Sequence, residues 1–192
     1  MEKKPYVIGL DLGGTNSVFG IVDSKANVVA SVSVKTRGHG TAEQYVTDCC
    51  EALQPIITQV GGIDKIQAMG IGAPNGNYYT GSVENAPNLE WPGIVPLAKM
   101  FSEKLGVPVA LTNDANAAAI GEMAYGAARG MKHFIMITLG TGLGSGIVVN
   151  GQLVYGCDGF GFHCVQEVDG CQEVVFLGQF FHSLHLVTNF LF

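Results

Sequence analysis

The sequence predicts an α/β protein whose two lobes face one cleft, and three observations carry that expectation. Strand signals alternate with helix signals along most of the chain. A strand, glycine turn, strand unit occurs twice, once as Leu10-Asp-Leu-Gly-Gly-Thr-Asn-Ser-Val-Phe-Gly-Ile-Val22 and again, with one gap, as Ile137-Thr-Leu-Gly-Thr-Gly-Leu-Gly-Ser-Gly-Ile-Val148. A duplicated unit implies two halves, each offering its turn to a shared cleft. Glycine makes up 27 of 192 residues without a collagen-like period, as expected of tight turns and of places where a ligand meets the main chain.

The elements follow in order. Tyr6 to Leu12, Val18 to Val22 and Val28 to Val34 read as three strands of an antiparallel meander, the last two joined by the polar turn Asp23 to Asn27. Thr41-Ala-Glu-Gln44 has capping-box spacing, and Tyr45, Val46, Cys49, Leu53, Ile56, Ile57 and Val60 recur at helical intervals. A helix is therefore expected over 41–60, kinked or cut short at Pro55. Ile66 to Ile71 is a strand entering the loop Gly72-Ala-Pro-Asn-Gly-Asn77; a helix from about Val95 stops at Gly106. Val107 to Leu111 and His133 to Leu139 are strands flanking an alanine-rich helix, Ala115 to Ala128. Asn150-Gly151 between two β runs marks a hairpin.

Composition narrows the function classes. With 47% hydrophobic and 14% charged residues the chain has enough apolar content for a packed core. A net charge of −6 provides no basic field for nucleic acid or membrane surfaces. An anionic ligand must then be held by backbone N–H groups and a metal ion. No apolar stretch of signal-peptide length precedes Asp11, so a cytoplasmic location is expected. The odd count of five cysteines, two adjacent at Cys49 and Cys50, fits reduced thiols.

Gly13, Gly14 and Thr15 form one candidate nest for phosphate oxygens, and Gly140, Thr141 and Gly142 the other. The bland alternative is a pair of tight hairpins. Asp11, closing the first strand, is placed to hold Mg²⁺ directly or through water. No Gly-x-x-x-x-Gly-Lys-Ser/Thr loop occurs, which excludes a Walker-type ATPase, and no dinucleotide fingerprint follows a strand. Asn113-Asp114 lies between a strand and a helix, where Asp114 is either the helix N-cap or a general base for an attacking hydroxyl, two roles that one residue can combine.

Four segments in order, Asp11-Leu-Gly-Gly-Thr15, Gly70-Ile-Gly-Ala-Pro74, Asn113-Asp-Ala-Asn-Ala-Ala-Ala-Ile-Gly-Glu122 and Leu139-Gly-Thr-Gly-Leu-Gly-Ser-Gly146, resemble the ROK family of bacterial sugar kinases and sugar-responsive repressors. The resemblance covers residues 6–159. It implies an actin-like, ribonuclease H-like ATPase fold with a first lobe over 1–112, the start of a second over 113–159, and a departing tail over 160–192 that leaves the second lobe truncated. It implies ATP-dependent phosphorylation of a hexose, glucose first, with Mg²⁺. Asp11 to Thr15 and Thr138 to Gly142 would grip the phosphates, and Asp114 would deprotonate the sugar 6-hydroxyl. Asn113, the Gly72 loop and Asn88 would hold the sugar. Family members are dimers or tetramers, so a homo-oligomer is in view. A repressor would need a helix-turn-helix ahead of the first strand, where only eight residues precede Gly9.

The pattern fails after Gly159. The family's Gly-Glu-x-Gly-His segment and its zinc-binding cysteines are absent; no Lys or Arg follows Lys132, and seven of the ten phenylalanines lie at or beyond Phe160. Cys157, Cys164 and Cys171 stand seven apart beside His163, a spacing that fits free thiols better than zinc. Val174 to Phe192 is too interrupted by Gln179, His182, His185 and Asn189 to read as a membrane span. Truncation, a reading-frame change or divergence near residue 160 is the expectation, and with it an inactive remnant or binding module as the alternative to an active kinase.

Overall fold

The structure, a computed structural model, describes residues 4–139, 143–156 and 159. The expectations for Gly140, Thr141 and Gly142, for Cys157, Cys164 and Cys171, and for the tail over 160–192 lie outside the described residues.

The meander forms as expected. Strands β1 (Tyr6–Leu12), β2 (Asn16–Asp23) and β3 (Val28–Lys35) pair antiparallel in sequence order. On the other side of β1, β4 (Ile66–Ala73) and then β8 (Val109–Asn113) add in parallel, giving one five-stranded sheet in the order β3-β2-β1-β4-β8. Between β4 and β8 the chain makes a small sheet of β5 (Gly76–Asn77), β6 (Ser82–Glu84) and β7 (Ile94–Val95), which the sequence does not announce. A third sheet holds β9 (Phe134–Leu139), β10 (Leu143–Val149) and β11 (Gln152–Leu153). The duplicated unit is thus two antiparallel strand pairs, β1–β2 and β9–β10. Asn150 and Gly151 join β10 to β11 with φ of 55° and 74°, the pair of positive values that a two-residue hairpin turn needs.

Three helices pack on this frame. Helix α1 (Ala42–Gln59) begins at Thr41, whose side chain accepts the Gln44 N–H at 3.2 Å. The box is not closed, because the Gln44 amide donates forward to Asp48 at 2.6 Å. Nor does Pro55 break the helix. Pro55 and Glu51, whose carbonyl the proline leaves without a donor, both face solvent, so water can serve in its place. Helix α2 (Leu97–Leu105) ends at Gly106 in the left-handed conformation, φ 70°. Helix α3 (Asp114–Ala124) is shorter than expected at its end, because the Glu122 carboxylate takes the Ala127 N–H at 2.7 Å and turns the chain away.

The core lies where α1 and α2 cover the first sheet, and Phe19, Tyr45, Trp91 and Phe101 form its aromatic centre. The Tyr45 ring meets Trp91 at 4.5 Å between centroids and Phe101 at 6.4 Å; Phe101 in turn meets Phe19 at 6.2 Å. Cys49 and Cys50 are free and buried in α1. Helix α3 contacts both β4 and β10 and so joins the first and third sheets. Among the described residues no helix is long and apolar enough to cross a membrane.

Phe101 is fully buried at the meeting point of these rings. Phe101→Ala should cost about 3–5 kcal/mol of unfolding free energy, measured by urea titration of the far-ultraviolet circular dichroism. A loss below about 1 kcal/mol would show that the core is not organised around this side chain.

Candidate functional site

The carboxyl ends of three adjacent parallel strands lie side by side, and the space outside them is the crevice in which ligands of open α/β sheets bind. Asp11 of β1 is in register with Gly72 of β4, and Gly72 with Thr112 of β8. At about 4.8 Å between strands, the Asp11 and Thr112 backbones stand about 10 Å apart. The next two residues, Asn113 and Asp114, open α3, so the phosphate-turn candidate and the base candidate face each other across β4. Ligands in open α/β sheets bind at such strand ends.

Asp11 is half-buried, and among the described residues its carboxylate takes no hydrogen bond or ion pair. The two-residue turn Gly14-Thr15 follows, closed by a 3.1 Å bond from the Gly13 N–H to the Asn16 carbonyl. Its three carbonyls are all occupied from the far side. The Thr36 hydroxyl donates to Gly13 O at 2.7 Å, the Arg37 guanidinium to Gly14 O at 3.0 Å, and the Thr36 N–H to Thr15 O at 2.9 Å. The amides of Gly14 and Thr15 have no acceptor among the described residues. Neither Gly13 nor Gly14 has a positive φ. Glycine is required by proximity: a Cβ on Gly13 would lie 2.7 Å from Asn16 O, and one on Gly14 3.0 Å from the Asn88 Cβ.

That last contact brings Asn88 to the turn, and a 3.3 Å bond from Arg37 to Asn88 O fixes it there. Gly72 lies within β4 and not in the loop after it; a Cβ there would sit 3.2 Å from Ala117 Cβ and 3.8 Å from Asp114 Cα. Its bareness lets the first turn of α3 settle on the sheet. At that turn the cap is Asn113, which corrects the N-cap reading of Asp114. Asn113 Oδ1 accepts from Ala115 N at 2.9 Å and Asn116 N at 3.4 Å, while Asp114 is the first helical residue. The Asp114 carboxylate is exposed in the crevice and accepts from Ala115 N at 2.8 Å. Asn113, 7% exposed, therefore has its oxygen committed to the helix and its amide donors left for a ligand.

The third sheet approaches through small residues. A Cβ on Gly144 would come within 3.0 Å of Ala115 Cβ, and one on Gly146 within 2.7 Å of Ala115 O. Thr138 lies half-buried on β9, its hydroxyl beside Gly144. Among the described residues no three His, Cys, Asp or Glu side chains cluster as a metal cage. A magnesium ion keeps waters and substrate phosphates as ligands and needs only one or two carboxylates. The lone carboxylate of Asp11 fits.

Sequence reasoning missed the strap after β3. Asn16 pairs with Lys35, so Thr36 and Arg37 must emerge beside the turn; the meander's register held that signal. His39 secures the strap. Its Nε2 meets the Lys35 carbonyl at 2.7 Å and its Nδ1 meets Asp48 Oδ2 at 2.5 Å. Both partners are acceptors, so both contacts are hydrogen bonds only when the ring is protonated. The Lys35 carbonyl, joined by Asp48 and Glu90, raises the His39 pKa against the opposing effect of burial.

A sequence model of the ROK family matches residues 7–164. A glucokinase of Streptomyces coelicolor is 40% identical over 147 residues, 76% of this chain and 44% of that protein. The Thermotoga maritima glucokinase is 36% identical over 172 residues, 87% of this chain and 53% of its own length. The chain spans about half the length of the curated relatives it matches. Repressors match too: a putative xylose repressor of Caldicellulosiruptor is 38% identical over 156 residues, 80% of this chain and 39% of that protein. A ROK glucokinase from Streptomyces griseus, solved with glucose and AMPPNP, superposes with a TM-score of 0.69 at 38% identity, covering 80% of this chain and 47% of its own. The fold is the actin-like ATPase fold of the ROK sugar kinases.

The His39 pKa, raised above the usual 6.5, gives stability a sign with pH. The stabilisation is complete below pH 6.5 and is lost as pH rises through the raised value. Urea midpoints measured from pH 6 to pH 9 should therefore fall more steeply in the parent chain than in His39→Gln. Parallel profiles would remove His39 from the strap's energetics.

Proposed function

From the premise that this chain belongs to the ROK family, we propose that the crevice is a sugar-kinase site, in which the γ-phosphoryl group of ATP passes to a hexose hydroxyl. One observation carries the reading. A turn and a carboxylate end β1, the turn's two amides and the carboxylate having no partner among the described residues, while an exposed carboxylate opens α3 two strands away, and the three strand ends are in register.

The parts divide the work. Gly14 and Thr15 amides, with Thr138 and the Gly140-Thr141-Gly142 segment of the second repeat, bind the phosphate oxygens. Asp11 would hold Mg²⁺, which when bound neutralises charge on the phosphates. Asn113 donates its amide N–H groups to a sugar hydroxyl. Asn88, held against the turn by Arg37, and the loop after Gly72 enclose the sugar. Asp114 takes the hydroxyl proton as the sugar oxygen bonds to the γ-phosphorus and the bond to ADP breaks. The products are the sugar phosphate and ADP, with the proton on the Asp114 carboxylate. Transfer is chiefly a matter of position and charge, and the register of three parallel strands supplies position.

Glucose is the preferred sugar in this reading, supported by the glucokinases among the relatives. The second reading is sugar or nucleotide binding without turnover. The absence of a Gly-Glu-x-Gly-His segment after Gly159 favours it. A coupled assay for ADP release, run on the purified chain with ATP, Mg²⁺ and glucose, fructose, N-acetylmannosamine or no sugar, separates the two. Glucose-dependent turnover supports the kinase; a folded, silent chain supports the binding module.

Asp114→Asn keeps size and helix position while removing the basic oxygen. In the active chain it should lower kcat by about 10²- to 10⁴-fold with ATP affinity unchanged. A kcat within threefold of the parent, in the same coupled assay, would take Asp114 out of the proton-transfer role.

A further inference from the structure

A line of buried hydroxyls runs from the core to the phosphate turn. Tyr45 Oη donates to Ser17 Oγ at 2.7 Å, Ser17 Oγ lies 2.8 Å from Thr36 Oγ1, and Thr36 Oγ1 lies 2.7 Å from the Gly13 carbonyl. Ser17 and Tyr45 are fully buried, and Thr36 is 1% exposed. The far end fixes every proton. A carbonyl only accepts, so Thr36 spends its single proton on Gly13 and must accept from Ser17. Ser17 then has its proton committed to Thr36 and must accept from Tyr45. Tyr45 has to be the neutral phenol, and burial, its largest influence, holds it so by pushing its pKa far up. All three hydroxyls donate in one direction, an arrangement in which each bond polarises the next.

The consequence lies in the peptide plane. The chain has no cis peptide among the described residues, and in a planar trans peptide the C=O and the following N–H point opposite ways. Pulling Gly13 O inward onto Thr36 aims the Gly14 N–H outward. Arg37, on Gly14 O, does the same for the Thr15 N–H from the surface. We infer that Thr36, Ser17 and Tyr45 are positioning residues for phosphate binding, acting by locking the Gly13–Gly14 peptide plane so that the Gly14 amide faces the cleft. This rests on the reading of the crevice as a nucleotide site.

The test is a titration of the ¹⁵N-labelled 192-residue chain with Mg²⁺ and ATP, following the Gly14 and Thr15 amide resonances. In the parent both should shift on binding. Thr36→Val should weaken ATP binding about tenfold, as expected for a misdirected amide to an anion, and Thr36→Ser, which keeps the hydroxyl, should return it to within twofold. Leu53→Ala, a core truncation in α1 that makes none of these hydrogen bonds, should lower stability and leave ATP affinity alone. If Thr36→Val does not fold, Tyr45→Phe carries the test, with a threefold or greater loss of affinity expected. Unchanged affinity in Thr36→Val, or in Tyr45→Phe where that variant is used, overturns the inference and leaves the nucleotide site standing. An equal loss in Leu53→Ala overturns it as well. A parent chain whose Gly14 and Thr15 amides ignore ATP sinks the nucleotide site and the inference together.

Discussion

Everything in the crevice depends on β1 having an antiparallel neighbour on one side and a parallel neighbour on the other. An antiparallel neighbour returns through a two-residue turn, so the carboxyl end of β1 is closed by Gly14-Thr15 at once. Parallel neighbours need long crossovers, so β4 and β8 leave their carboxyl ends open and run on into a loop and a helix. Only at the switch between the two pairings do a tight turn, an open loop and a helix start lie side by side. The Asp11–Gly72–Thr112 row is the line along which they meet.

The depth of the crevice is set by small residues. Helix α3 lies between the first and third sheets, and its Ala115, Ala117 and Ala119 face Gly72, Gly144 and Gly146. Side chains larger than these would push the helix off one sheet or the other. Since Asp114 begins that helix, the same bareness that seats α3 also fixes the carboxylate over β4. The alanine-rich run contributes to geometry more than to hydrophobic burial, for which Phe19, Tyr45, Trp91 and Phe101 serve on the opposite face of the sheet.

The sequence made local features legible and left non-local ones hidden. Strand β1 ends where it was expected because a β-branched run stops at Gly-Gly, and α1 starts at Thr41 because a threonine cap needs only its own next three residues. The motif residues Asp11, Gly13, Gly14, Thr15, Asn113 and Asp114 could be placed by such local signals. The strands β5, β6 and β7 could not, being two or three residues long, with Asn75 before β5 and Asn85 after β6 at φ of 51° and 49°. Pro55 misled because a proline's cost depends on whether the orphaned carbonyl meets solvent, which is a tertiary fact. The hydroxyl line was invisible for a like reason: Ser17 and Thr36 are 19 residues apart, and Tyr45 is 28 from Ser17. Serine and threonine in a strand look alike whether they face water or a buried partner, and only the pairing of β2 with β3 distinguishes them.

Charge gives the last constraint. The chain carries a net −6, and the crevice adds the carboxylates of Asp11 and Asp114 at its mouth. The cation at the turn is Arg37, whose Nε and one Nη are already engaged with the carbonyls of Gly14 and Asn88. A bare triphosphate approaching such a site meets repulsion that two backbone amides do not offset. A triphosphate already carrying a divalent cation meets attraction, since Asp11 then faces positive charge. In the proposed site the Asp11 carboxylate would therefore be selective as well as binding: it would turn away the uncomplexed anion and admit the complexed one. The carbonyls of the turn, all held on the far side by Thr36 and Arg37, keep their own negative ends out of the same path.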